Sequence, residues 1–268
     1  MTVITISRGS NSRGKEVAEL VAKKLGYDCI SRDILLEASE QFNIPEMKLN
    51  RAIHDAPSIL ERFTYGKEEY INYIEAALLK YLREDNIVYH GLAGHFFVQK
   101  LTHVLKVRII ADMKERIRLE MNKEKISREE AERIIKNDDE QRKKWSISLH
   151  GVDTANPSLY DLLIHIGNLS TEDAAEIICQ TAKLKCFQTT PESRKSIDNM
   201  ALIAQVKASL SKINPHIEVS LNDDDVEITA KFRVPDSEIL ERLKDAAKPI
   251  VGDRIVNVRM LPITQYTD

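Results

Sequence analysis

Hydrophobic positions along the chain change period several times, and each change predicts an element. The run Val3-Ile4-Thr5-Ile6 is continuous and mostly β-branched, which predicts a short strand buried on both faces. Behind it Val17, Leu20, Val21 and Leu25 recur at helical spacing. Ser31-Arg32-Asp33 begins a second helix, with Asp33 as its cap and Ile34, Leu35 and Ala38 on its apolar face. From Pro45 to Arg83 the pattern is helical, and Ile71, Ile74, Ala77, Leu78 and Leu82 form one stripe. Ile87-Val88-Tyr89-His90 predicts the second buried strand and Val104 to Ala111 the third, with Asp112 behind it as a cap. Ser127-Arg128-Glu129-Glu130 has the capping-box pattern and opens a helix with Ala131, Ile134 and Ile135 inward. Asn156 to Ile164 reads as a turn and another buried strand, and Ser170-Thr171-Glu172 caps a helix through Ala174, Ile177 and Ile178.

Between Lys185 and Ser196 the periodicity is lost in favour of Gln, Thr, Pro, Glu, Ser and Arg, which reads as a linker. A fresh pattern begins beyond it. Met200, Ile203, Val206 and Leu210 predict a helix, and His216 to Leu221 alternates as a strand. Asn222 to Asp225 turns, and Val226 to Ala230 alternates back. Pro235 opens a helix with Ile239, Leu240, Leu243 and Ala246, and Ile255 to Met260 is a third strand. The chain therefore divides into an α/β domain at 1–184, a linker at 185–196 and a small α+β domain of order αββαβ at 197–268.

Length and composition narrow the classes. A chain of 268 residues can bury a sizeable core in one large or two unequal domains. A net charge of −3 gives no support for a general nucleic-acid or membrane-surface binder. No apolar run is long enough to span a bilayer, and the N-terminus enters the first strand at once, leaving no room for a signal peptide. A cytoplasmic location is expected. Cys29, Cys179 and Cys186 are three, far apart and without a C-x-x-C pair, so reduced and mostly buried thiols are expected. His90, His95 and His103 lack the cysteine or carboxylate neighbours of a metal site, and no metal-ligating residues are assigned.

The chemistry concentrates in Gly9-Ser10-Asn11-Ser12-Arg13-Gly14-Lys15-Glu16. Gly9, Gly14 and Lys15 have the G-x-x-x-x-G-K spacing of a phosphate-cradling loop, set between a strand and a helix as that motif requires. Backbone N–H groups and the positive helix end would face an anion, and Lys15 would reach the outer phosphates. The Ser or Thr that usually comes after the lysine to hold Mg²⁺ is Glu16 here. The plainer reading is a βα turn with a surface lysine. Lys114 to Lys144 is the most charged stretch and includes Arg116, Asp139 and Arg142; on its own it also reads as a solvated helical hairpin. Tyr65, Tyr70, Tyr73 and Tyr81 read as packing residues. Asp223-Asp224-Asp225 reads as a solvated turn.

Ile4-Thr5-Ile6-Ser7-Arg8, Gly14-Lys15-Glu16-Val17-Ala18, Leu25-Gly26 and Ser31-Arg32-Asp33-Ile34-Leu35 together resemble the start of the cytidylate kinase-like family, a branch of the P-loop nucleoside monophosphate kinases. Asn156-Pro157-Ser158-Leu159-Tyr160-Asp161-Leu162 resembles its D-P-x-x-Y-D-L block, so the resemblance spans about Met1 to Lys183. Glutamate after the loop's basic residue is that family's habit. Asn11 and Arg13 stand where it has glycines, and Leu92 stands where it has an arginine.

The resemblance implies a three-layer P-loop domain with a central parallel sheet. It implies ATP and Mg²⁺ as cofactors, held at Gly9 to Glu16, and a nucleoside monophosphate acceptor near Arg32, Asp33 and Asp139. Arg116 and Arg142 then belong to a lid, with Lys15 as the third catalytic cation. The order of the C-terminal elements, with Gly252 before the last strand, resembles a BON domain and implies a protein or small-ligand partner. The activity implied is phosphoryl transfer from ATP to a nucleoside monophosphate, CMP or dCMP first. The alternative is a non-catalytic nucleotide sensor that signals through its C-terminal domain.

Overall fold

A computed structural model describes residues 2–31, 33–43, 66–91, 94–214, 216–232 and 236–262. Its first unit is built on five parallel strands in the order β2-β3-β1-β4-β5. These are β1 Val3–Arg8, β2 Asp28–Ile30, β3 Ile87–His90, β4 Val104–Ala111 and β5 Leu162–Ile166. β1 lies at the centre, with Val3 in register with both Ile87 and Val104. Side chains alternate between the faces of a strand, so each strand feeds two cores. Val3, Ile87, Tyr89 and Val104 pack on one face; Ile4, Ile6, Val88, Leu105 and Val107 pack on the other.

Helices cover both faces. α1 Gly14–Leu25 buries Val17, Ala18, Val21 and Ala22 beside α7 Thr171–Ala182, which buries Ala174, Ala175 and Ile178. On the opposite face lie α2 Asp33–Phe42, α3 Gly66–Leu82 and the short α4 Gly94–Phe97. The stripe read from Ile74 to Leu82 is buried there, and Phe42 stacks on Tyr73 at 4.4 Å between ring centroids. Tyr70, Tyr73 and Tyr81 are packing residues; Tyr65 lies outside the described residues. α5 Met113–Glu124 and α6 Arg128–His150 form a hairpin with a small core of its own, Ile117, Ala131 and Ile135. Ser127 caps α6 by accepting from the Glu130 N–H at 3.2 Å.

Several details differ from the sequence reading. β2 is only three residues long and mostly exposed, too short to show a period. β5 is an edge strand, not a buried one, because β4 is its sole partner in the sheet and Leu163 and His165 face outward. Asp112 stands at the cap position of α5 without a side-chain cap bond, its carboxylate lying 3.4 Å from His165 instead. Cys29 and Cys186 are exposed and only Cys179 is buried. Among the described residues no helix is long and apolar enough to cross a membrane.

The stretch read as a linker holds a 3₁₀ turn at Lys185–Phe187 and then enters α8 Pro191–Leu210, which begins well before Met200. Thr190 and Ser193 form a reciprocal capping box, and Pro191 occupies the first turn, where its missing N–H costs no bond. One face of α8, Ile197, Ala201, Ala204 and Ala208, lies in the same core as α3. Its other face, Val206 and Leu210, joins the core of a second, α+β unit. That unit has a mixed three-stranded sheet, β6 Glu218–Asn222, β7 Asp225–Phe232 and β8 Val256–Pro262, with α9 Ser237–Val251 against it. Asp236 caps α9, and Pro235 lies outside the described residues. Polar contacts reinforce the shared helix: Arg194 pairs with the buried Asp85, and the Gln205 amide donates to the Ala76 carbonyl at 3.1 Å.

Because Ile197 is fully buried against the first unit, Ile197→Ala is expected to cost about 2–5 kcal/mol. Trp145, the one tryptophan of the chain, reports on the first unit. Its fluorescence in a urea titration should show the lower midpoint; an unchanged midpoint would mean that α8 belongs to an independent domain.

Candidate active site

β1 delivers the chain to the carboxyl end of the sheet, where open α/β sheets bind their ligands. There it turns sharply. A β-carbon on Gly14 would lie 2.6 Å from the Cβ of Arg8, so only glycine lets α1 begin directly over the end of β1. The return is made through Asn11 (φ 53) and Arg13 (φ 61), both left-handed. Asn tolerates that region; for Arg it costs about 1–2 kcal/mol. The two positions where the sequence departs from glycine are thus the two whose backbone favours it. Ser12 ties the turn down, donating from Oγ to the carbonyls of Gly9 at 3.0 Å and Ile109 at 3.1 Å.

The α5–α6 hairpin closes on this loop. Arg116, nearly buried, donates from Nε to the Ser10 carbonyl at 2.6 Å and from Nη2 to Asp139 at 2.7 Å. Arg142 donates from Nη1 to the Arg8 carbonyl at 3.0 Å. Asp139 accepts from the Ser10 N–H at 3.4 Å and Asp138 from the Ser10 hydroxyl at 3.0 Å. Asn11 donates to Glu120. The helical hairpin and the loop are therefore one site, with Gly9, Ser10, Arg116, Asp139 and Arg142 brought together. Burial chiefly lowers the Arg142 pKa; Asp138 and Asp139 oppose the shift, and Arg116 and Arg108 add to it.

Other expected residues lie apart from those arginines. Lys15 is exposed and points along α1, 3.6 Å from Glu19. Glu16 is held by Arg13 through contacts of 2.9 and 2.7 Å and by the Thr171 hydroxyl at 3.2 Å. Both line a cleft of about 740 Å³ with Asn11, Glu120 and Asp138. Asp33 is the first residue of α2, while Arg32 and Leu92 lie outside the described residues.

Four residues at the site escaped the sequence reading: Arg8, Arg108, Asp138 and Glu120. Arg8 ends the first strand, and Arg108, with Lys106, interrupts an otherwise apolar one, which was the available signal. β1 and β4 place Ser7 opposite Arg108. The Arg108 guanidinium lies 3.3 Å from both Ser7 Oγ and the Tyr160 hydroxyl. Tyr160 in turn donates to the Thr154 carbonyl at 2.9 Å and lies 3.2 Å from Nε2 of buried His95.

The loop fits a polyphosphate, since the first-turn amides of α1 have no intrahelical acceptor and Lys15 stands at the cleft. Among the described residues no cluster of three or more His, Cys, Asp or Glu could hold a metal unaided. A Mg²⁺ ion would fit here only as one carried by nucleotide phosphates, since Asp138, Glu120 and Glu16 of the cleft already bond Ser10, Asn11 and Arg13.

Burial, then Arg108 and His150, lower the His95 pKa to about 3 from an ordinary 6.5. Between those values the unfolded chain binds the extra proton, so this contribution to stability is complete above about 6.5 and is lost as pH falls toward 3. His95→Gln keeps a hydrogen-bonding side chain and removes the titration. Denaturant midpoints at pH 7 and pH 5 should therefore differ less in the variant than in the wild-type protein.

The model of the cytidylate kinase-like family matches residues 3–168. The cytidylate kinase of Archaeoglobus fulgidus is 26% identical over 187 residues, 68% of this chain and 95% of that protein. The cytidylate kinase of Sulfolobus acidocaldarius is 26% identical over 178 residues, 65% of this chain and 91% of its own. In fold alone, the chain is similar to a crystal structure of an uncharacterized protein from Eubacterium ventriosum, with a TM-score of 0.51 and 17% identity. That match covers 69% of this chain and 100% of the other. With its five-stranded parallel sheet, its glycine-turned loop and a family match over more than half its length, the chain belongs to the cytidylate kinase-like family.

Proposed function

We propose that the protein transfers the γ-phosphoryl group of ATP to a nucleoside monophosphate, CMP or dCMP first. The observation that carries this reading is the convergence of Arg116 and Arg142 on the Ser10 and Arg8 carbonyls, which holds lid cations against the loop. Phosphoryl transfer asks the protein mainly for positioning and for charge stabilisation. The loop amides and Lys15 hold the donor phosphates. An oxygen of the acceptor phosphate attacks the γ-phosphorus, the bond to the β–γ bridging oxygen breaks, and ADP leaves with that electron pair. Arg116 and Arg142 face the charge that spreads over the transferring oxygens; Mg²⁺ carried by the donor phosphates would supply further neutralising charge. Asp139 orients Arg116, and Arg32 and Asp33 belong to the acceptor side.

A second reading, a nucleotide sensor without turnover, is favoured by one feature. α8 packs at once on α3 and on the α+β unit, so a change at the nucleotide site has a solid path to the C-terminal surface. In that reading residues 197–268 act as a BON-like module that meets a protein or small-ligand partner.

ADP release from ATP, assayed across the common monophosphates with Mg²⁺, separates the two. CMP-dependent release is expected, and Lys15→Ala or Arg142→Ala should lower it by about 10²–10³, as for loss of one transition-state donor. Tight ATP binding with no acceptor-dependent release above the Lys15→Ala level would support the sensor.

A further inference from the structure

Across Arg8 from the 740 Å³ cleft lies a second pocket of about 340 Å³, walled by the end of β4, by α6 and by Asp153 to Ala155. Six basic side chains and three carboxylates line it. Three of the basic groups are answered: Arg116 by Asp139 at 2.7 Å, Lys136 by Glu132 at 2.6 Å and Lys143 by Asp153 at 3.3 Å. The other three are Arg8, Arg108 and Arg142, and none of them makes a salt bridge among the described residues.

Arg142 is set against both of the others. The Arg8 pKa is lowered by burial and then by Arg142, with Tyr89 opposing; the Arg142 pKa is lowered by burial, with Asp138 and Asp139 opposing and Arg116 and Arg108 adding to the shift. Arg8 Nε is buried without a hydrogen-bond partner among the described residues. Arg108 spends Nη1 on two long contacts to hydroxyls and lies over the Tyr160 ring at 5.6 Å, an arrangement that holds the guanidinium in place without neutralising it. Like charges gathered in a half-buried pocket destabilise the empty protein, and a bound anion would reverse that term.

We infer that Arg108, with Arg8 and Arg142, forms the seat of the acceptor's phosphomonoester, separate from the loop that cradles the donor. Planar guanidiniums bind such a dianion through paired N–H bonds. The pocket takes only Gly9 and Ser12 from the loop and holds no Lys15, which assigns the triphosphate to the larger cleft. Arg8 lines both spaces, so a phosphate in the seat and the end of the donor chain meet across one guanidinium. Arg108 is thereby a substrate-contacting residue whose register opposite Ser7 sets where the acceptor phosphate stops. The choice of acceptor rests on the phosphotransferase reading; the anion seat itself does not.

The test uses the full-length protein with Arg108→Gln and Arg108→Lys. Calorimetry measures binding of CMP, inorganic phosphate and cytidine, and steady-state assays give KM for CMP and for ATP. Arg108→Gln is expected to weaken CMP and phosphate binding tenfold or more, to raise KM for CMP and to leave KM for ATP unchanged, while Arg108→Lys recovers part of the loss. Cytidine binding should be the same in all three proteins. The ligand-free melting temperature of Arg108→Gln should equal or exceed that of the wild type, since a repelled charge is gone; a merely structural arginine would lower it. Wild-type-like affinity for CMP and phosphate in Arg108→Gln would overturn the seat, as would failure of the wild-type protein to bind either one. If no acceptor is phosphorylated but phosphate binding still depends on Arg108, the seat stands and the kinase reading falls.

Discussion

Gly14 rests so closely on Arg8 that any side chain there would collide with the end of β1, and the position of the whole site depends on that contact. With α1 starting directly above the strand, Asn11 and Arg13 must both turn left-handed to return the chain. The turn then presents its carbonyls at Arg8 and Ser10 outward, toward the α5–α6 hairpin. The half-buried Arg8 side chain borders both the larger cleft and the arginine pocket. One glycine contact therefore sets the loop, the hairpin's docking points and the cation shared by the two spaces.

The hairpin is held to the loop by charged groups on both sides. Asp139 and Asp138 accept from the Ser10 N–H and hydroxyl, bonds of the kind a phosphate oxygen would otherwise accept, while Arg116 and Arg142 donate to loop carbonyls. The carboxylates and the arginines thus bond opposite polarities of the same short turn, its donors and its carbonyls. The hairpin also has a small core of its own, Ile117, Ala131 and Ile135.

Away from the site, α8 joins the two units. Its small residues Ala201, Ala204 and Ala208 allow close approach to α3, and the opposite face carries Val206 and Leu210 into the second core. A polar stretch before a helix is ambiguous in sequence because its charges face solvent whichever core the helix serves. Here the cap formed by Thr190 and Ser193 and the pairing of Arg194 with buried Asp85 anchor the first turn to the α/β unit.

Periodicity made the main strands legible: β1, β3 and β4 are buried on both faces, and their runs are continuous enough to be read without a fold in mind. The loop was legible for a related reason, since glycine and lysine at fixed spacing between a strand and a helix leave few conformations. β2, the edge position of β5 and the true start of α8 were not legible, because each depends on which neighbours the fold brings alongside. The same holds for the site. Gly9, Lys15, Arg116, Asp139 and Arg142 stand out in the sequence by motif or charge, but nothing local says that Arg108 reaches Ser7 and Tyr160. The sequence by itself determined the alternating α/β framework and the existence of a glycine-turned loop between β1 and α1, since both arise from short-range spacing. Tertiary structure alone decided which cations share a pocket, because strand register across β1 and β4 and the docking of α6 join residues far apart in the chain.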